Sequence, residues 1–397
     1  MKIGIVGGAL QGMEAVYLSK KAGYETLVID RREEAPALSL ADEAVVGDVE
    51  RDRAVTKALA ECDTILPANE NMEALVAVDW IAEQAGVPLL FDLDAYRISE
   101  SKLRSNELLQ RLGVPTPRKW PSCRFPVVVK PSTGSGSTEV TIARNEMEVE
   151  RLVLHLRGEG LEPVVEEYVN GPNISIEVIG DGSIFTPYIV TDVILANDYD
   201  CKRVYSPWRG MAQAADELAR YATLTARALG LRGIMDMEAI VVDGHPQVLE
   251  IDARIPSQTP AAILHSHGIN LVEEMVKGLV HGRMGMPTVP QPRVAVYEHV
   301  VAKGDTLQAC GEGEFSHVRH PRIVEGLFGA DEAITDHRPG MDGWTATLMM
   351  ASPNWAALRE RRKECLRRIM DENHLSRYLD LFPEGYGDPL NALSDDE

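Results

Sequence analysis

A chain of 397 residues with 45% hydrophobic and 25% charged positions has material for two or three domains, each with its own core. Its formal charge of −21 argues against nucleic acid or an anionic membrane as a general partner, but a locally basic pocket could still take a nucleotide. No apolar run approaches the roughly 20 residues of a membrane span, and five widely spaced cysteines (Cys62, Cys123, Cys201, Cys310, Cys365) with no C-x-x-C pair read as reduced cytoplasmic thiols.

The chain opens on a strand over 3–6 that runs into Gly7-Gly8, a pattern unlike a secretory leader. A helix over 13–22 and strands over 26–29, 64–66 and 88–91 follow. This βαβ rhythm predicts a parallel sheet with right-handed crossovers in residues 1–100. The next block, 101–290, begins with a helix over 102–112 that stops at Gly113, before Pro115 and Pro117. Strands are predicted over 125–130, 139–143, 164–168 and 175–179, then a helix over 211–229 ending at Gly230. A hairpin covers 237–242 and 247–252, and a helix covers 271–280. In the last block, 291–397, a strand over 294–300 and a basic helix over 356–370 stand out, and residues 394–397 read as a solvated acidic tail.

Three motifs carry chemistry. The first, Gly7-Gly8-Ala9-Leu10-Gln11-Gly12, has Ala9 where a dinucleotide fingerprint wants glycine, although Asp30 ends the second strand as that fingerprint prefers. A nicotinamide site is therefore disfavoured against use of the fold without that cofactor. The second is Lys130 at a strand end, followed by Ser132-Thr133-Gly134-Ser135-Gly136-Ser137. An ammonium beside a loop of small residues suits phosphate, because backbone amides can approach the oxygens; a flexible hairpin loop with an ordinary lysine is the competing reading.

The third motif is the most informative: Asp236-Met237-Glu238, then Glu250-Ile251-Asp252-Ala253-Arg254. Strand alternation puts Glu250 and Asp252 on one face. A three-residue loop at Asp243-Gly244-His245 would set Glu238 opposite Glu250, whereas a two-residue turn would separate them. Three carboxylates on one patch call for a hard divalent ion such as Mg²⁺, which takes carboxylate oxygens and bridges nucleotide phosphates. A solvated edge hairpin is the alternative, and the apolar neighbours Ile234, Ile240, Val248, Leu249 and Ile251 speak against it.

Lysine and small-residue loop, then Val165-Glu166-Glu167-Tyr168-Val169, then the carboxylate hairpin is an order that resembles the ATP-grasp superfamily. Asn69-Glu70-Asn71, Tyr199-Asp200-Cys201, Ser257-Gln258-Thr259-Pro260 beside Asp252-Ala253-Arg254, and Gly268-Ile269-Asn270 narrow the resemblance to the ligases that join 3-methylornithine to L-lysine in pyrrolysine biosynthesis, over residues 1 to about 300. The resemblance implies an ATP-grasp fold, α/β and α+β in class. It would have an N-terminal Rossmann-like domain of the biotin carboxylase type over 1–100, a nucleotide and metal domain over 101–290, and a small C-terminal domain over 291–397 completing the substrate cleft.

It also implies an activity: ATP phosphorylates the carboxylate of 3-methyl-D-ornithine, and the ε-amine of L-lysine attacks to form an amide. Another ATP-grasp amino-acid or purine-pathway ligase and a non-catalytic sensor are the alternatives. Carried over residue by residue, Lys102 and Lys130 contact the nucleotide phosphates under the Ser135, Gly136 and Ser137 loop, and Glu166, Glu167, Tyr168 and Val169 form the adenine hinge. Glu238, Glu250 and Asp252 hold Mg²⁺, and Arg254 stabilises the transferring phosphoryl group. For the amino acids, Ser257, Gln258 and Thr259 are candidates for a carboxylate, and Glu70, Asn71, Glu177 and Asp236 line the substrate site, the acids taking ammonium groups. No general base stands out beyond His265 and His267, and the oligomeric state stays open between monomer and homodimer. One departure matters: Gly171-Pro172-Asn173 follows the hinge where Gly-Glu is usual, so the ribose-site glutamate is missing, with Asn173 and Glu177 as candidates to substitute.

Overall fold

A computed structural model describes residues 1–134, 139–289 and 291–392. The Ser135, Gly136 and Ser137 loop and the acidic tail therefore lie outside the described residues.

The N-terminal region forms a four-stranded parallel sheet in the order β3-β2-β1-β4, from β1 (Lys2–Val6), β2 (Glu25–Asp30), β3 (Glu43–Val46) and β4 (Thr64–Pro67). Its central strands are apolar on both faces, as helix-covered parallel strands must be: Ile3, Ile5, Val28 and Leu66 are fully buried. Helices α1 (Leu10–Lys21), α2 (Arg53–Ala60) and α3 (Met72–Ala85) make the crossovers.

Two predictions for this sheet need correction. The fourth strand is 43–46, which is mostly exposed and carries no apolar run to announce it. The segment expected as a strand over 88–91 makes a single bridge, Leu89 with Ile65. Pro88 has no N–H to donate, and Asp92 already caps the next helix, α4 (Leu93–Ser99), through Ala95 N.

Helix α5 (Lys102–Arg111) leads to a three-stranded antiparallel sheet, β6-β5-β7, from β5 (Val127–Pro131), β6 (Thr141–Ala143) and β7 (Pro163–Glu167), backed by α6 (Glu146–Gly158). A larger sheet holds the rest. Its path begins β13-β12-β8-β10-β11, from β8 (Asn173–Asp181), β9 (Phe185–Pro187, beside β8), β10 (Thr191–Leu195), β11 (Cys201–Ser206), β12 (Arg232–Val242) and β13 (His245–Asp252). It continues through β14 (Val294–Lys303), to which β11 pairs directly, Arg203 opposite Glu298. Strands β15 (Thr306–Ala309), β16 (Arg322–Glu325), β17 (Glu332–Thr335), β18 (Gly343–Ser352) and β19 (Arg377–Leu379) complete it.

Helix α7 (Ala212–Leu229) buries Leu218 and Ala222 against one face of the sheet. Helices α8 (Thr259–His267) and α9 (Leu271–Met275) pack with α1 on the other side. The helix predicted over 271–280 is α-helical only to Met275 and widens into a π turn over Val276–Val280. Short α10 (Glu312–Phe315) and long α11 (Trp355–Glu372) cover the C-terminal strands. Among the described residues no helix is long and apolar enough to cross a membrane.

Candidate active site

The acidic hairpin turns on two residues, with Val242 opposite His245 and positive φ at both Asp243 (50°) and Gly244 (84°). This is the short turn that threatened to separate the carboxylates. A β-bulge cancels the shift. The register slips between Glu238 and Ala239, leaving Leu249 unpaired, so that Glu238 faces Glu250 and Asp236 faces Asp252. On the other side of β12, Asp236 faces Glu177 of β8. Five carboxylates thus share one face of three neighbouring strands.

Their environments differ. Burial, then the charges of Glu250 and Glu312, push Glu238 up to about 8, and burial, reinforced by Glu70 and Glu250, lifts Asp252 to about 6. Burial also raises Asp236, and takes Glu177, which is 0% exposed, to about 7. Burial opposes the charge of Glu250 as well, but Lys102, Lys130 and Arg254 outweigh it and hold that carboxyl below its usual range.

The cations sit where these charges need them. Lys102, at the start of α5, lies 3.0 Å from Glu250 Oε2 and donates to the Gly134 carbonyl at 2.8 Å. Lys130 pairs with Glu166 at 2.6 Å, both buried. Arg254 bridges Asp252 (2.9 Å) to Glu70 (2.8 Å), tying the hairpin to the N-terminal region. Yet among the described residues the buried oxygens Asp236 Oδ1 and Asp252 Oδ1 have no hydrogen-bond partner. Among the described residues no three side chains close into a metal cage. An open pair of hard oxygens nevertheless fits Mg²⁺, which keeps water and phosphate ligands and asks for one or two carboxylates.

Lys102, Lys130, Glu238 and Glu250 form one end of a cavity. Its walls are apolar (Val128, Ile142, Ile174, Val193, Ile240, Leu249), and the bulged Leu249 is among them. Glu166, beside Lys130, lines it too, as do Glu167, Tyr168 and Val169. There the Glu167 N–H donates to Arg118 O and the Tyr168 N–H to Pro126 O, while the Glu167 side chain pairs with Arg118. Among the described residues the Val169 N–H has no such partner, which makes it the hinge amide available to a ligand. Asn173 lines the same cavity; Glu177, fully buried on the carboxylate face, is not among the described residues that line it.

A second cleft opens between the N-terminal glycine turn and the hairpin, lined by Gly7, Gln11, Glu70, Arg254, Ser257 and Glu312. The structure assigns several predicted residues other work. Ser257 Oγ and Gln258 Nε2 donate to Glu312 at 3.1 and 3.0 Å, and Thr259 Oγ1 donates to Glu177. The donors expected for a substrate carboxylate are therefore occupied by protein carboxylates, whose burial demands partners. Asn71 caps α3, accepting from Ala74 N at 2.8 Å. Asp30 accepts from Gly8 N at 2.7 Å and pairs with Arg32, so it serves its own loop. His265 bonds Tyr17 Oη at 2.7 Å and His267 bonds Ser266, both in structural roles.

Three further residues contribute through contacts distant in sequence. Glu312 comes from α10, in the region too divergent to assign. Asp200 accepts from Gly313 N at 2.7 Å and keeps a buried, unpartnered Oδ1. Glu14, buried on α1, accepts from Ala261 N at 2.7 Å and so holds the start of α8, just after Gln258 with its positive φ of 73°; burial pushes Glu14 up to about 8. A glutamate inside an apolar helix face was the available clue to Glu14.

Comparison with known proteins adds the following. Residues 99–258 match a family described as ATP-grasp domain, and residues 1–94 one described as ribonucleotide synthetase preATP-grasp domain. The chain is 39% identical over 301 residues to a 3-methyl-D-ornithine–L-lysine ligase of Methanosarcina barkeri, covering 75% of this chain and 78% of that one. The corresponding ligase of Methanosarcina mazei is 39% identical over 313 residues, with 78% and 80% covered. In fold, the chain is similar to a biotin carboxylase–ATP-analogue complex from Campylobacter jejuni, with a TM-score of 0.72 at 17% identity, covering 92% and 91% of the two chains.

Proposed function

The chain belongs to the ATP-grasp family of the 3-methyl-D-ornithine–L-lysine ligases, and from that premise we propose that it couples these two amino acids at the expense of ATP, as a step of pyrrolysine biosynthesis. ATP lies in the apolar cavity with its base against the Val169 amide and its phosphates toward Lys102 and Lys130. Glu238, Glu250 and Asp252 would hold Mg²⁺, the open Asp252 Oδ1 among the oxygens offered to it. Bound there, the ion supplies positive charge to the phosphate oxygens. Lys102, bonded to the Gly134 carbonyl, and Lys130 add point charges. Arg254, fixed by Asp252 and Glu70, presents its guanidinium to the transferring phosphoryl group. The 3-methyl-D-ornithine carboxylate takes that group, giving an acyl phosphate and ADP; the lysine ε-amine then displaces phosphate to form the amide.

The acidic cleft is the single observation that carries the substrate class. Both substrates are diamino acids with more ammonium than carboxylate groups. Glu70 and Glu312 line the space beside Arg254, and Asp200 stands behind it on the Gly313 N–H. Ser257 and Gln258 orient Glu312, and Glu177, Asp236 and Thr259 form the layer beneath. Anchoring the lysine α-amine here leaves its ε-amine near the acyl phosphate, and proximity supplies most of the remaining acceleration. We place the reaction in the cytoplasm, where ATP is abundant and thiols stay reduced, and a homodimer is compatible with it.

The test is product analysis. With Mg²⁺, ATP, 3-methyl-D-ornithine and L-lysine, the chain should release one ADP and one phosphate per amide formed. ADP release indifferent to lysine, or equal coupling of glycine or aspartate, would defeat the substrate assignment.

A further inference from the structure

The C-terminal segment after β19 reaches the nucleotide cavity from outside the elements that build it. Two aspartates pin it to the large sheet. Asp380 binds Lys202 Nζ at 2.6 Å and Arg203 Nη2 at 2.8 Å; Asp388 binds Arg203 Nη1 at 3.0 Å and Tyr205 Oη at 2.9 Å. Lys202 and Arg203 are both 0% exposed, and the Lys202 ammonium also sits 3.4 Å from the centroid of the Phe382 ring. Fully desolvated ion pairs of this kind fix geometry, because moving either partner strands a buried charge. The seven residues between the anchors are held as a strap, and one of them, Tyr386, lines the cavity.

Tyr386 arrives at a particular place. Its Oη accepts the Gly171 N–H at 3.1 Å. Gly171 is the first residue of the Gly171-Pro172-Asn173 stretch that stands after the hinge in place of the usual Gly-Glu. It must be glycine here: an added Cβ would lie 2.1 Å from Val241 O. A tyrosine hydroxyl has one proton and two lone pairs, so accepting from Gly171 leaves its own proton free to donate. Tyr168 and Tyr199 line the same cavity, and Tyr168 lies close to both Tyr199 and Tyr386, so three hydroxyl-bearing rings cluster there.

We propose that Tyr386 is an adenosine-recognition residue of this ligase, its ring closing the nucleoside end of the cavity and its hydroxyl donating to a ribose oxygen at the position where the hinge lacks its glutamate. The proposal rests on the nucleotide reading above and sharpens it. A contact of this kind acts on the nucleoside and leaves the triphosphate untouched, which separates it from a general effect of the strap on the fold.

The experiment uses the full chain and two probes, ATP and inorganic tripolyphosphate, each with Mg²⁺, titrated calorimetrically into wild type, Tyr386→Ala and Tyr386→Phe. Wild type should bind both probes. Y386A should bind ATP at least tenfold more weakly and tripolyphosphate within twofold of wild type. Y386F, which keeps the ring and loses the donor, should fall between for ATP, and it decides the matter if the alanine variant fails to fold. Unchanged ATP affinity in Y386F, or parallel loss of both probes in Y386A, would overturn the assignment of Tyr386 alone. Failure of wild type to bind ATP would remove the nucleotide reading and this inference together.

Discussion

Glu250 is the residue on which the site's charge balance turns. It is the one hairpin carboxylate held below its ordinary pKa, with Lys102 3.0 Å away, while Glu238 opposite it is pushed up to about 8. Replacing Glu250 by alanine removes the hard oxygen best suited to a divalent ion and leaves Lys102 without its partner. We expect Glu250→Ala to lower kcat by at least about a hundredfold with its circular dichroism unchanged. Activity near wild type would show that the ion is held elsewhere.

Glu14 supports the site from a distance, and its effect has a defined sign. Its folded-state carboxyl is raised from the ordinary 4.5 to about 8, so between those pH values the native chain holds a proton that the unfolded chain releases. Stability contributed by this group therefore falls as pH rises from about 4.5 to about 8, at a limiting slope near 1.4 kcal/mol per unit. Glu14→Gln keeps an acceptor for Ala261 N and cannot ionise. Its thermal midpoint should gain on wild type steadily from pH 5 to pH 8. Parallel profiles would mean that Glu14 titrates normally.

At the scale of elements, the hairpin was readable because strand alternation is local: Glu238, Glu250 and Asp252 fall on one face once the strands are found. The register has another cause than the three-residue loop that spacing predicts: the chain uses a two-residue turn with a bulge at Leu249, a pairing irregularity that no residue pattern announces. Residues 43–46 escaped notice because a short, exposed edge strand has no apolar signature, and 88–91 misled because an apolar run can precede a helix cap as well as fill a strand. Asp200 and Tyr386 act through contacts between segments more than 100 residues apart, and Glu312 through contacts 54 and 55 residues away, so local sequence does not mark the pairing.

The ionic lock that pins the C-terminal strap belongs to the same class of long-range feature. Glu298 on β14 is 0% exposed and binds Arg203 on β11 and Arg362 on α11, the latter at 2.6 Å. Truncating it strands two buried guanidinium groups. We expect Glu298→Ala to cost about 3–5 kcal/mol of unfolding free energy in a denaturant titration. A loss under about 1 kcal/mol would show that water or the remaining aspartates compensate.

For the molecule as a whole, the sheet and the N-terminal region enclose two adjoining spaces, an apolar cavity with cations at one end and an acidic cleft beside it. Arg254 stands between them, bound to Glu70 on one side and Asp252 on the other. That arrangement allows a phosphoryl group to pass from a polyanion to a carboxylate whose ammonium groups are held in the cleft. The parallel sheet, the carboxylate hairpin and the basic C-terminal helix follow from periodicity in the sequence; the alignment of the two spaces depends on tertiary contacts.

The account's central claim is that ATP activates a carboxylate by transferring its terminal phosphoryl group to it, and oxygen transfer measures this directly. With 3-methyl-D-ornithine carrying ¹⁸O in its carboxylate, together with L-lysine, ATP and Mg²⁺, one labelled oxygen should appear in each inorganic phosphate released and the other should remain in the amide. Label in AMP, or phosphate free of label while amide accumulates, would contradict it.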